Sequence, residues 1–189
     1  MAYLPTSVEP TYEDQTYTPS GASFAHYNHI ANVYVPTHVA APAGGRPILV
    51  APNNSGFSST SILSTLSKYT SGVQYLAWTR GWIVVSAKTT VSQQTTTSGG
   101  AVISGAGYWK RPTSSLWQTS AFLEKDGAIL CQYARYNAAT WGGNPNKVFI
   151  VGRSAGAAAA GAAAMMPDFG EIGSTWGFYD GASSRPNGA

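Results

Sequence analysis

Charged residues are scarce in this chain of 189 residues. They make up 10% of the sequence, where about 25% is usual for a globular domain. The net charge of +3 comes from scattered Lys and Arg, with no run of either. Binding to nucleic acid or to an anionic membrane requires a clustered basic surface. The sequence therefore predicts no nucleic-acid partner and no membrane role.

Cysteine and long apolar runs are also scarce. Cys131 is the single cysteine, which excludes an internal disulfide and a thiolate metal site; we expect it to be a small core residue of a helix. The longest apolar segment, 156–166, is far shorter than the roughly 20 residues that span a bilayer. The first residues lack the basic start and apolar run of a signal peptide. The sequence predicts no metal and no cofactor, and it leaves the compartment unknown, with the cytoplasm as the default.

The three histidines, His26, His29 and His38, all lie in the first part of the chain. His26 and His29 stand three residues apart, and on a strand this spacing points the two rings to opposite faces. No carboxylate cluster follows them, so solvated or packed histidines are favoured over a metal site. A reaction that needs an imidazole after residue 154 lacks one in this sequence.

Short apolar runs alternate with helical patterns along most of the chain. Strands are expected at 26–35, 47–51, 82–86, 147–151 and 176–179, and helices at 58–69, 75–80, 116–140 and 157–166. Such alternation predicts an α/β fold, with a mostly parallel sheet, helices on both faces and an antiparallel first strand. At about 150 residues per domain, we expect one domain over 26–180, an extended N-terminal arm over 1–25 and a tail over 181–189.

The most specific stretch is NPNKVFIVGRSAGAAAAGAAAMM, residues 144–166. Its centre has GXSXG spacing between a predicted strand and a helix of small residues, which predicts a nucleophile elbow with Ser154 as the nucleophile. Gly152 and Gly156 let neighbouring backbone pass closely without a Cβ clash. The helix N-terminus favours a developing oxyanion. The spacing fits neither a dinucleotide-binding loop nor a P-loop.

A second turn, Pro52–Phe57, consists mainly of small and polar residues and follows the strand expected at 47–51. At this position a strand can present backbone amides to a ligand. The carboxyl ends of parallel strands meet at one edge of a sheet. We therefore expect this turn to lie beside Ser154.

In these features the chain resembles the N-terminal part of the α/β-hydrolase superfamily, in particular its carboxylesterase and hormone-sensitive-lipase-like branch. The resemblance covers about residues 30–179. Its parts are the strand ending in VYVP, the turn PNNSGF, the strand RGWIVVSA, the helix at 117–141 with its internal Asp126, and the block NPNKVFIVGRSAGA.

The resemblance implies roles for individual residues. The nucleophile is Ser154, and the backbone N–H of Ala155 is one donor of the oxyanion hole. The remaining donors are implied to be Ser55 and Gly56, which stand where the family has a His-Gly-Gly-Gly-aromatic loop. The family's triad runs in the order serine, acid, histidine. Asp180 stands where a minority of the superfamily has its acid, but no histidine follows Ser154.

A serine without an imidazole in reach is a poor nucleophile at neutral pH, and two hypotheses therefore stay open. One is an esterase-type serine hydrolase acting on a small carboxylic ester, with its base supplied from outside this chain, by a partner subunit or by an unusual local group. The other is a catalytically impaired hydrolase-like domain with a binding, assembly or structural role.

An incomplete gene product is a further alternative, and it predicts an exposed apolar sheet edge. We accordingly expect that the chain can form a homo-oligomer through that edge or through the N-terminal arm.

Overall fold

The computed structural model describes residues 4–17, 30–53, 65–88, 117–153, 155–165, 168, 179 and 181–189. In chain order, the elements are β1 (Ser7–Val8), β2 (Tyr12–Thr16), β3 (Ile30–Tyr34), β4 (Arg46–Asn53), β5 (Leu66–Ser67), α1 (Gly72–Thr79), β6 (Ile83–Lys88), α2 (Trp117–Tyr136), α3 (Ala138–Trp141), β7 (Gly143–Ile150) and α4 (Ala155–Met165). Among these residues, no helix is both long and apolar enough to cross a membrane.

The main sheet has five strands in the order β2-β3-β6-β4-β7. β4 lies between β6 and β7 and runs parallel to both. β3 runs antiparallel to β6, and β2 antiparallel to β3. The predicted α/β class is confirmed, as is the antiparallel strand that opens the domain. The sheet is mixed: its β7–β4 and β4–β6 pairs are parallel, and its β6–β3 and β3–β2 pairs are antiparallel.

Helices cover both faces of this sheet because alternate residues of the central strands point to opposite sides. On one face, Ile48 and Val50 belong to the larger core cluster, together with Leu130 of α2 and Ala160 of α4. On the other face, Leu49 of β4 packs in a smaller cluster with Trp78 of α1. The predicted pair of helical layers is therefore present.

The predicted elements are mostly found, with shifted limits. The helix predicted at 75–80 is α1, and it ends before Gly81, whose φ of +86° suits glycine. The long helix predicted at 116–140 is interrupted at Asn137, where α2 gives way to α3. The prediction of a helix at 58–69 is wrong for the part that the structure describes, residues 65–69, because Leu66–Ser67 pairs with β1 as a strand. Local apolar spacing cannot reveal that pairing, since the partner strand lies almost sixty residues earlier in the sequence.

The two ends of the chain pack on its own domain. In the predicted N-terminal arm, β2 forms one edge of the main sheet. At the other edge, residue 188 forms a parallel bridge with Phe149, and the Ile150 N–H donates to the carbonyl of Gly188 over 3.0 Å. Arg135 of α2 donates to the carbonyls of Ser183 and Arg185. The outer edge of β7 is thus partly paired, and assembly through a sheet edge or through the arm stays a prediction.

Tyr17 joins the end of β2 to the carboxyl end of β6. Its side chain is fully buried, and its hydroxyl donates to the carbonyl of Lys88, the last residue of β6, over 2.8 Å. Burial raises the pKa of Tyr17 well above its usual value, and the charge of the buried Asp126 raises it further. Burial likewise raises the pKa of Tyr179 to about 12. The folded protein therefore holds these phenols neutral at a pH where the unfolded chain ionises.

This difference predicts a loss of stability in alkali. An unfolded tyrosine ionises near pH 10, so the unfolded chain binds fewer protons than the folded one as the pH rises from about 10 towards the folded pKa. The free energy of unfolding should be unaffected by this tyrosine below about pH 9 and fall above about pH 10. Tyr17→Phe should flatten that decline, although it costs about 1 kcal/mol at neutral pH through the lost hydrogen bond.

Urea unfolding between pH 7 and 11.5 measures both effects. Tyr69→Phe is the control, since its ring is 76% exposed and the substitution also removes one phenol. An equal alkaline decline in the two variants would contradict the prediction.

Candidate active site

The strand and the helix that flank the GXSXG run are both present. β7 ends at Ile150, and the N–H of Val151 still pairs with the carbonyl of Val50 over 2.9 Å. α4 begins at Ala155, and the N–H of Gly156 donates to the carbonyl of Arg153 over 3.0 Å. The chain thus turns from β7, a parallel strand at the edge of the main sheet, into a helix within a few residues.

Gly152 shows how tight this turn is. A Cβ added there would lie 2.1 Å from the carbonyl oxygen of Gly156 and 2.6 Å from the nitrogen of Ala157. Both atoms belong to backbone, which cannot move aside as a flexible side chain can. Glycine is therefore required at this position for the first turn of α4 to approach the end of β7.

Only part of the predicted site falls within the described residues. The backbone of Gly152, Ala155 and Gly156 is described. Ser154 lies outside the described residues, as do Ser55, Gly56 and Asp180. Their roles as nucleophile, oxyanion donors and acid stay predictions.

The end of β4 nevertheless supports the predicted neighbourhood of the two turns. β4 runs beside β7 in the same direction, with Val50 opposite Ile150. β4 ends at Asn53, at the end of the sheet where β7 leads into the GXSXG run. The start of the predicted oxyanion turn is thus attached to the strand next to the nucleophile strand.

His38 lies at the other end of the parallel strands, where β6 begins. Its Nε2 is 3.3 Å from the carbonyl oxygen of Thr79, the last residue of α1, and its ring packs at a tilt against Trp78, with 4.1 Å between centroids. β6 begins shortly after α1 and runs towards the elbow edge for six residues, a length of about 20 Å. His38 is therefore remote from the described elbow residues Gly152 and Ala155. His26 and His29 lie outside the described residues.

Cys131 offers no alternative nucleophile. It is fully buried in the core of α2, as the sequence predicts. Burial raises the pKa of its thiol to about 12, and a neutral thiol is unreactive as a nucleophile.

α4, the helix that follows the GXSXG run, contacts α2. A Cβ added at Gly127 of α2 would lie 2.2 Å from the carbonyl oxygen of Ala159 and 3.1 Å from the Cβ of Ala163. The two helices therefore cross in direct backbone contact. Gly127 is absent from the sequence-predicted site; the signal that the sequence offers is a glycine inside a helical pattern, where alanine would be more favourable.

An apolar groove of about 550 Å³ opens on the other face of the sheet, between α1 and β7. Its walls include Leu49 and Phe149 from the sheet, and Val73 and Leu76 from α1. These two α1 side chains are more than half exposed. The groove does not include the described elbow residues, so we assign it no part in the chemistry. In the described part of the chain, no group of three His, Cys, Asp or Glu side chains gathers to hold a metal ion.

Solved esterase structures share this fold. The structure resembles a thermophilic esterase, Est2, of the planctomycete Thermogutta terrifontis, with a TM-score of 0.56, 19% identity, 93% of this chain covered and 52% of the other. It resembles tannin acyl hydrolase from Lactobacillus plantarum with a TM-score of 0.59 and 19% identity, over 92% of this chain and 37% of the other. A truncated carbohydrate esterase from gut microbiota matches with a TM-score of 0.54 and 16% identity, over 97% and 54%.

These similarities show the α/β-hydrolase fold of esterases, at a sequence identity too low to transfer an activity. The chain spans about half the length of the two esterases and a smaller part of the tannin acyl hydrolase. No protein-family model matches the sequence, and no curated protein matches it either.

The elbow geometry predicts that Gly152→Ala is severely destabilising. Backbone at 2.1 Å must be displaced to admit the methyl group, and overpacking of this kind costs about 3 kcal/mol. Gly161→Ala, also in α4, is the matched control because its added Cβ meets nothing within 4 Å. That variant should gain up to about 1 kcal/mol from helix propensity. Thermal and urea unfolding of both variants give the comparison, and equal stabilities would contradict the tight turn.

Proposed function

We propose that this chain is the elbow-bearing part of an esterase-type serine hydrolase that acts on a small carboxylic ester. The observation that carries the proposal is the backbone contact between Gly152 and Gly156, because it occurs at the strand-to-helix turn that holds Ser154 between them. A nucleophile elbow needs this combination. The fold shared with esterases supports the same reaction class.

The chemistry proceeds as acyl transfer. The Ser154 Oγ forms a bond to the acyl carbon and gives its proton to a base. The carbonyl oxygen becomes an oxyanion, held by the backbone N–H groups of Ala155, Ser55 and Gly56. Collapse of this intermediate breaks the bond to the alcohol oxygen, which leaves with the proton. Water then hydrolyses the acyl-serine and releases the acid.

The related structures define the ester classes to try. Est2 of Thermogutta is solved with propionate and with butyrate, and the tannin acyl hydrolase with ethyl gallate. Esters of short-chain acids and esters of hydroxybenzoic acids are therefore the two substrate classes that we propose for this chain. p-Nitrophenyl propionate and ethyl gallate represent them.

A fluorophosphonate probe tests the nucleophile directly, since Est2 is phosphonylated by cyclosarin. The wild-type chain should be labelled and should hydrolyse at least one of the two esters. Ser154→Ala should abolish both signals. Ser7→Ala, an exposed serine of β1, should change neither. A folded wild-type chain that takes no label would overturn the proposal and favour the binding or assembly role.

The position of the histidines predicts which of them can act as the base. His29 directly precedes Ile30, and β3 begins where β6 ends, since Ala31 pairs with Ala87. Three interstrand spacings separate β3 from β7, a distance of about 14 Å. The start of β3 and the end of β7 lie at the same end of the sheet, where the elbow follows. Of the three histidines, His26 and His29 therefore precede a strand that starts at this end, whereas His38 lies at the other.

His38→Ala should leave the labelling rate unchanged, and a large loss would contradict the placement described here. A loss of about 100-fold or more in His26→Ala or His29→Ala would identify a base within the chain, because general-base catalysis contributes about that much. Unchanged labelling in all three variants would mean that the base comes from outside the chain or from a group other than histidine.

A further inference from the structure

We infer that Gly127 of α2 is a positioning residue for the nucleophile elbow; the inference rests on the proposed function. α4 begins at the predicted oxyanion donor, Ala155. One helical turn later, Ala159 meets α2 in the backbone contact at Gly127. The place of α4 on the sheet is therefore determined by two glycine contacts, one at Gly152 and one at Gly127.

α2 is the fixed partner in this crossing. Residues 128–131 that follow Gly127 are at most 1% exposed, and three of them, from Ile129 to Cys131, belong to the larger core cluster. α2 also binds the C-terminal segment through Gln132 and Arg135. A group added at the crossing cannot easily push α2 away from the sheet.

α4 is the partner that can move. Its sequence AGAAAAGAAAM has only Ala and Gly before its last residue, so no large side chain anchors it in the core. Its buried residues are Gly156, Ala159, Ala160 and Ala163. With so little side-chain volume between α4 and its neighbours, the closeness of the backbones decides where the helix lies.

A displacement at Ala159 reaches the elbow because the turn between them is helical. The Ala159 N–H and the Ala155 carbonyl are paired in the i to i−4 pattern of the helix, so the two residues move together. A Cβ at Gly127 starts 2.2 Å from the Ala159 oxygen, and a normal contact requires a shift of about 1 Å. A misplacement of this size near the reacting atoms can lower a rate by about 100-fold.

Gly127→Ala tests the inference. With p-nitrophenyl propionate, kcat should fall by about 10- to 100-fold while KM changes less than threefold, and the fluorophosphonate labelling rate should fall in parallel. Both are measured on folded protein, well below its melting temperature. Gly161→Ala is the control with open space around the added methyl group, and its kcat should stay within twofold of the wild type.

A second readout does not depend on activity. In backbone amide NMR spectra, the resonances of Ala155 and Gly156 should shift more in Gly127→Ala than in Gly161→Ala. If the wild type takes no fluorophosphonate label, the proposed function fails, and these resonances still decide whether Gly127 positions the elbow.

Ala163→Ser is the milder variant at the same crossing and serves if Gly127→Ala does not fold. It should produce smaller changes of the same kind. Wild-type kcat and unshifted elbow amides in a folded Gly127→Ala chain would overturn the inference. So would unshifted elbow amides in Ala163→Ser, if that is the variant that folds.

Discussion

The structure around the candidate site depends on how closely backbone can approach backbone. At Gly152 the backbone that follows β7 touches the first turn of α4, and at Gly127 α4 touches its neighbour α2. Neither contact can accommodate a Cβ. Glycine has lower helix propensity than most residues, so its presence at Gly127 is a cost in local stability that the close packing of α4 offsets.

The direction of the strands decides which turns and side chains lie near this packing. β4 and β7 run in parallel, so the two turns predicted to carry the nucleophile and the oxyanion donors follow neighbouring strands at one end of the sheet. Because β3 is antiparallel to β6, β3 starts at this end of the sheet and finishes at the opposite end. This explains why His38, which follows β3, is remote from the elbow, and why position in the sequence is a poor guide to distance from the site.

The chain ends contribute to the sheet more than their composition indicates. The sequence shows an arm with prolines and a polar tail, both without a regular period. In the structure, β2 completes one edge, and the segment around Asn187 pairs with β7 at the other, where the Asn187 side chain accepts from the N–H of Val148. Such pairings join residues that are distant in sequence, so local hydrophobic patterns cannot predict them.

The sequence by itself determined the α/β class, most strand and helix positions and the elbow motif, because apolar period and glycine spacing are local properties of the chain. Only the tertiary structure decided that Leu66 pairs as a strand, that His38 is distant from the elbow and that Gly127 contacts α4. Each of these depends on contacts between residues far apart in sequence, and the packing of the whole domain decides which of those residues meet.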